Sequence, residues 1–195
     1  YITFNMFEHW KLRVAVIWMS TEDFLAGRFD AWRGPVVLSH SDRDKNWVLF
    51  PEKIGGQFAV LHSIIGDDEH RVRVEYINDL TTLRQRDFIS PDPQKAPDTP
   101  IAWHIHTRSA GPPPLKTSKG WLVLYHANDA KEGHRYKLGA MLLDLVDPTR
   151  VLHRATVPIL SPDEHYENDG KPGIVYAGGA IIREGKLYVY YGGAY

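Results

Sequence analysis

Three times in this chain a glycine turn leads at once into a short, dense run of aromatic and aliphatic residues. Gly56 opens onto Gln-Phe-Ala-Val-Leu-His62, Gly120 onto Trp-Leu-Val-Leu-Tyr-His126, and Gly185 onto Lys-Leu-Tyr-Val-Tyr-Tyr191. The glycines stand 64 and 65 residues apart. Glycine supplies the positive φ of a tight hairpin at no steric cost, and branched and aromatic residues suit a pleated strand. A second match, Ala15-Val-Ile-Trp-Met-Ser20 with Ala140-Met-Leu-Leu-Asp144, is offset by 125 residues, close to two periods. Repeats of this length, made of short strands and turns, predict an all-β propeller or array. In this register His62, His126 and Tyr191 are equivalent positions.

The segment before the second repeat constrains the backbone further. Pro112-Pro-Pro114 has no amide donors and fixed φ, so it fits neither a helix nor a central strand. It predicts a stiff, extended entry to Leu115-Lys116-Thr117, followed by a turn at Ser118-Lys119-Gly120. Elsewhere, strands are expected at Tyr1–Phe7, Leu12–Met19, Trp47–Phe50, Val74–Leu80, Ile101–Thr107 and Tyr136–Leu145, with short ones at Val151–Arg154 and Pro158–Leu160. Ser20 followed by Asp23 reads as a capping box that opens one helical turn. His40–Asn46 reads as a charged turn, Gln85–Pro100 as an irregular excursion and Ser161–Gly173 as an acidic loop.

A period near 64 gives about three units in 195 residues, whereas propellers close with four to eight blades. An internal piece of a longer protein is therefore expected, with residues 1–195 part of a single β-propeller catalytic domain. The net charge of −1 gives no electrostatic footprint for nucleic acid, and there is no apolar run long enough to span a bilayer. With no cysteine there is neither a disulfide nor thiol chemistry in this stretch. His104 and His106 are spaced to share one face of a strand, but no third ligand follows by spacing, so no metal site is expected.

Several motifs together resemble family 130 of the glycoside hydrolases. They are Asn46-Trp-Val-Leu-Phe-Pro-Glu-Lys-Ile54, Gly111-Pro-Pro-Pro-Leu-Lys-Thr117, Gly120-Trp-Leu-Val-Leu-Tyr-His126, and Gly139-Ala-Met-Leu-Leu-Asp144 with Asp147-Pro148. Pro158-Ile-Leu-Ser-Pro162, Tyr166-Glu167 and Tyr190-Tyr-Gly-Gly-Ala194 extend the match over nearly the whole chain. The resemblance implies a five-bladed β-propeller, of which this chain covers about three blades, with the active site in the central funnel. It implies an inverting phosphorylase in which inorganic phosphate cleaves a β-mannoside to mannose 1-phosphate, without a cofactor. The alternatives are an inverting β-mannoside hydrolase or a non-catalytic carbohydrate-binding propeller. A cytoplasmic enzyme is expected, with β-mannoside oligosaccharide and phosphate as partners and homo-oligomer formation left open.

The resemblance also implies roles for particular residues. The general-acid aspartate of the family is expected upstream of Tyr1. Lys53 resembles the family's phosphate lysine, and phosphate is expected to bind Lys53 and His126. Substrate is expected to bind Lys116, His126, His62 and Glu52, converging on one funnel. Two departures stand out: Ser63 replaces the arginine that usually follows the Leu-His pair, and Tyr195 stands where an aspartate usually follows Gly-Gly-Ala. When phosphate is the nucleophile, the protein must gather cations and donors around a dianion, and no catalytic base is needed.

Overall fold

The protein is seen in a computed structural model that describes residues 1–39, 44–64, 73–81, 88–89, 103–104, 106–128, 132–171 and 173–194. It is all-β. The chain lays down four antiparallel sheets one after another, each a meander of sequence neighbours. The first joins β1 (Ile2–Glu8), β2 (Lys11–Trp18) and β3 (Arg33–Val37). The second runs β4 (Asp44–Leu49), β5 (Phe58–Ile64), β6 (Arg73–Ile77) and β7 (Phe88–Ile89). In the third, β8 (His106–Ala110) and β9 (Leu115–Thr117) pair with successive lengths of β10 (Gly120–Asn128), and β11 (Lys137–Leu143) and β12 (Val151–Arg154) follow. The fourth is the pair β13 (Val175–Arg183) and β14 (Lys186–Gly193).

Among the described residues, helix is confined to α1 (Thr21–Leu25) and two single 3-10 turns. The Ser20 hydroxyl accepts the Asp23 amide at 3.0 Å, as the capping box predicts. The triple proline is the stiff link between β8 and β9 on one side of β10. Several boundaries differ from the sequence reading. Residues 40–43 of the expected charged turn lie outside the described part, and Asp44–Asn46 belong to β4. Trp103 and His104 precede β8 rather than lying in a strand, and Pro158–Leu160 contributes a lone bridge, Leu138 with Leu160. Of the Gln85–Pro100 excursion only Phe88–Ile89 is described, as β7.

The repeat is real, but its register differs from the one anchored on glycine. Two-residue hairpins close between Ile54 and Gln57, Thr117 and Gly120, and Arg183 and Lys186. Counted from each closing residue, the fifth position onward is His62, Tyr125 and Tyr191. His126 lies one residue further. Because strand side chains alternate, that single step turns His126 to the opposite face of its sheet. His62 accordingly turns to the side of the first sheet, its ring 4.8 Å from that of Trp47 on the neighbouring β4, while His126 faces the fourth. The equivalence expected between the two histidines does not hold.

The sheets stack face on face, and three clusters fill the spaces between them. Val14, Val16, Leu38, Trp47, Val60 and Ile77 lie between the first and second sheets. Ala59, Leu61 and Val74 meet Trp121, Val123, Tyr125 and Met141 between the second and third. Leu124 and Leu138 meet Val175 and Ala177 between the third and fourth. Covering both faces of β5 and β10 explains why their sequences read as continuous apolar runs instead of alternating ones.

Two hairpin glycines separate crowding from conformation. At Gly120 (φ +149°) an added Cβ would collide with the Leu143 carbonyl oxygen; at Gly185 (φ +73°) it would meet nothing within 4 Å. Gly120→Ala is expected to cost about 3 kcal/mol and Gly185→Ala about 1 kcal/mol. Urea titrations of the two variants check this, and equal midpoint shifts would show that the Leu143 backbone yields.

Candidate functional site

The hairpin β4–β5 carries Glu52 and Lys53 next to its turn, and β9 carries Lys116 directly opposite Trp121. Packing of the second sheet on the third brings these two hairpins together, with Phe50 meeting the Trp121 ring edge-on at 5.2 Å. Lys116 Nζ then lies 2.8 Å from Glu52 Oε1, both side chains about half exposed, and 5.6 Å above the Trp121 ring. Lys53 Nζ sits 4.4 Å over the Phe58 ring. Glu52 and Lys116 thus meet at one rim, while the neighbouring Lys53 is held against Phe58, on the face of β5 turned to the first sheet; all three are open to solvent.

The two histidines are elsewhere. His62 and His126 lie five residues up β5 and β10 from this rim, about 17 Å at the rise of a strand. Neither has any solvent exposure. His126 Nε2 accepts the Ala177 amide at 2.8 Å, and its ring stacks on Tyr176 with centroids 4.1 Å apart and planes 9° from parallel. An accepting Nε2 places the ring proton on Nδ1. His62 Nε2 lies 3.1 Å from Glu75 Oε1, which is almost as deeply enclosed. The structure therefore brings together Glu52 and Lys116, holds the adjacent Lys53 over Phe58 instead, and sets His62 and His126 apart inside the stack.

Sequence analysis missed a second layer of polar groups. Tyr125, the true equivalent of His62, has its hydroxyl 2.8 Å from His104 Nδ1, with the Arg154 guanidinium on the other side of the imidazole. Burial, reinforced by the Arg154 charge, pushes the His104 pKa down to about 4. Burial likewise raises the Tyr125 hydroxyl well above its usual range. His104 is thus held between Tyr125 and Arg154. Tyr191, the third equivalent, donates to the buried Glu167 at 2.7 Å. Anchoring the repeat on the hairpin pairs instead of the glycines would have found Tyr125 from sequence.

The family profile of glycoside hydrolase family 130, described as beta-1,4-mannooligosaccharide phosphorylase, matches residues 30–195. The chain belongs to glycoside hydrolase family 130. It is 37% identical over 163 residues to a 1,2-beta-oligomannan phosphorylase of Thermoanaerobacter sp. (strain X514), covering 83% of this chain and 50% of that protein. It is 38% identical over 157 residues to a beta-1,2-mannobiose phosphorylase of Listeria innocua, covering 76% of this chain and 41% of that one. A crystal structure of the Listeria innocua beta-1,2-mannobiose phosphorylase with beta-1,2-mannobiose superposes with a TM-score of 0.75 at 31% identity, over 98% of this chain and 51% of that one. The chain spans about half the length of the curated relatives it matches.

Within this family member the two groups of residues should separate in mutagenesis. An exposed ion pair contributes less than about 1 kcal/mol, so Lys116→Ala should leave unfolding nearly unchanged. His126→Ala opens a buried space and strips the Ala177 amide of its acceptor, costing about 3 kcal/mol. Chemical denaturation checks both, and a Lys116→Ala loss as large as that of His126→Ala would mean the rim is structural.

His104 makes stability depend on pH. Its folded pKa, about 4, lies below the unfolded value near 6.5, so the unfolded chain binds the extra proton between these limits. Stability from this group is complete above about pH 6.5 and is lost as pH falls toward 4. His104→Gln should flatten melting temperature against pH over that window, and a slope unchanged from wild type would remove His104 as its source.

Proposed function

We propose that the full-length protein is an inverting phosphorylase that cleaves β-mannosides with inorganic phosphate, on a five-bladed β-propeller. The first sheet then supplies three strands of one blade, the second and third are complete blades, and the fourth supplies the first two strands of another. The observation that carries the activity is the 37–38% identity to phosphorylases of β-1,2-linked mannosides over about four fifths of the chain. It makes β-1,2 the first linkage to test. The exposed Lys53 and the Lys116–Glu52 pair near the same hairpin turns support the same reading, because phosphorolysis needs cations at the attacking dianion and hydrogen-bonding groups at the sugar.

In this mechanism a phosphate oxygen attacks the anomeric carbon from the face opposite the leaving group. The glycosidic C–O bond breaks, and an acid outside this chain protonates the departing oxygen. Mannose 1-phosphate of inverted configuration results. Lys53 attracts the phosphate, while Lys116 and Glu52 hold the sugar, Glu52 accepting hydroxyl protons and Lys116 donating. His62 and His126, enclosed as they are, act at one remove by fixing β5 and β10.

Lys53→Ala removes a charge-assisted contact and should slow phosphorolysis ten- to a hundredfold, since such contacts are worth about 1.5–3 kcal/mol. The measurement is mannose 1-phosphate release from β-1,2-mannobiose across a phosphate titration. Equal sugar release with and without phosphate would reject phosphorolysis in favour of hydrolysis. Absence of turnover in both conditions, with mannobiose still bound, would leave a binding propeller.

A further inference from the structure

The loop leading into β13 holds a carboxylate with no solvent exposure, Glu167. Enclosing a charge is costly unless donors compensate it, and two do. The Glu164 amide donates to Oε2 at 2.8 Å, and the Tyr191 hydroxyl donates to Oε1 at 2.7 Å. Gly193 of β14 makes the close approach feasible: a Cβ there would stand 2.9 Å from Glu167 Cγ. The Tyr191 and Tyr166 hydroxyl oxygens are 2.5 Å apart. Since the Tyr191 proton is directed at the carboxylate, this contact has one polarity, with Tyr166 donating and Tyr191 accepting. The contacts with Tyr166 and Glu167 accordingly hold the Tyr191 hydroxyl protonated well beyond the usual range.

This relay fixes what Tyr166 shows to the outside. Its side chain is more than half exposed, on a 3-10 turn (His165–Glu167) closed by a reciprocal capping box between Glu164 and Glu167. With its proton turned inward, the phenol offers solvent only acceptor lone pairs, beside an open aromatic face. An anion would find no donor in that hydroxyl. A pyranose, with an apolar C–H face and hydroxyl protons to give, fits both features. Nor is the relay required to anchor the loop. The Arg135 guanidinium donates to the Pro162 carbonyl at 3.0 Å, and the Asn168 amide donates to the carbonyls of Pro162 and Glu164.

We propose that Tyr166 is a sugar-binding platform that takes a pyranose unit of an oligosaccharide, its hydroxyl oriented by the positioning residues Tyr191 and Glu167. The proposal rests on the carbohydrate reading above and adds to it a contact residue on the loop that leads into the fourth sheet. Calorimetric titration of the full-length protein with β-1,2-mannobiose, β-1,4-mannobiose and cellobiose tests it. Tyr166→Phe should weaken binding about tenfold and Tyr166→Ala more, with folding unchanged by circular dichroism. Tyr191→Phe should weaken binding comparably, and the double variant Tyr166→Phe/Tyr191→Phe should bind no worse than Tyr166→Phe, because the second change acts only through the first. Wild-type affinity in Tyr166→Ala, or additive losses in the double variant, would overturn the platform while leaving mannoside binding intact. Binding of cellobiose but not mannobiose, with the same Tyr166 dependence, would keep the platform and reject the mannoside reading. Wild-type protein that binds none of the three sugars would reject both.

Discussion

Every later feature of this structure depends on the two-residue hairpin that joins the first and second strands of a sheet. A hairpin this short matches the right-handed twist of its strands only if its residues adopt mirror-image turn geometry. Gly55 and Gly56 do so at φ of +58° and +83°, and Glu184 and Gly185 at +54° and +73°. The middle hairpin solves the problem differently. Thr117 Oγ1 accepts the Lys119 amide and donates to the Gly120 carbonyl, and the unusual φ moves to Gly120 at the head of β10. All three nevertheless leave the same number of residues in the turn. That count decides which residues of the second strand face the preceding sheet and which face the following one.

With the faces assigned, packing follows. Residues 58, 60 and 62 of β5 turn toward the first sheet and residues 59 and 61 toward the third, so neither face stays wet and both can be apolar. The first sheet is joined to the second by polar as well as apolar contacts. The Thr3 hydroxyl donates to the Trp47 carbonyl at 2.6 Å, and the side chain of Asn5 both donates to and accepts from Asn46 at 2.9 Å. Asn46 sits at φ +57°, within the bulge that re-aims Trp47 into the core. The same stacking lets the rims of neighbouring hairpins touch, which is how Glu52 meets Lys116 across 64 residues of sequence.

The strands, the turns and the repeat were legible because each is written in local chemistry: apolar runs, prolines, glycines and a serine cap. Lys53 and Lys116 stand out only through the family motifs, and the structure places both near hairpin turns. The equivalence of His62 and His126 was misread for a definite reason. Glycine occupies the last turn position at Gly56 and Gly185, but the first strand position at Gly120. A sequence match on the glycine therefore slips by one residue, the smallest error possible and the one that reverses a strand's faces. His104–Tyr125 and Glu167–Tyr191 were invisible for another reason. Their partners lie 21 and 24 positions apart in irregular lead-in segments whose path no periodicity predicts.

Read in the corrected register, the fifth position of the second strand is polar in the second, third and fourth sheets and directed toward the preceding one. The corresponding position after the Glu8–Lys11 hairpin of the first sheet is the apolar Val16. His62 pairs with Glu75, Tyr125 with His104, and Tyr191 with Glu167. Leucine or valine would fill such a place without the desolvation that each of these groups incurs, so packing alone does not explain the choice. In each case the partner comes from the same repeat, and for Tyr125 and Tyr191 it comes from the segment that feeds the first strand. The bond therefore ties the far end of the second strand to the entry of the first. That is the end of the sheet away from the hairpin rim, and it is where β8 and β13 begin. If the sheets are blades around one axis, these entries encircle a single mouth. The Tyr125–His104 and Tyr191–Glu167 bonds fix the entries to β8 and β13, a strand's length from the hairpin turns that carry Lys53 and Lys116.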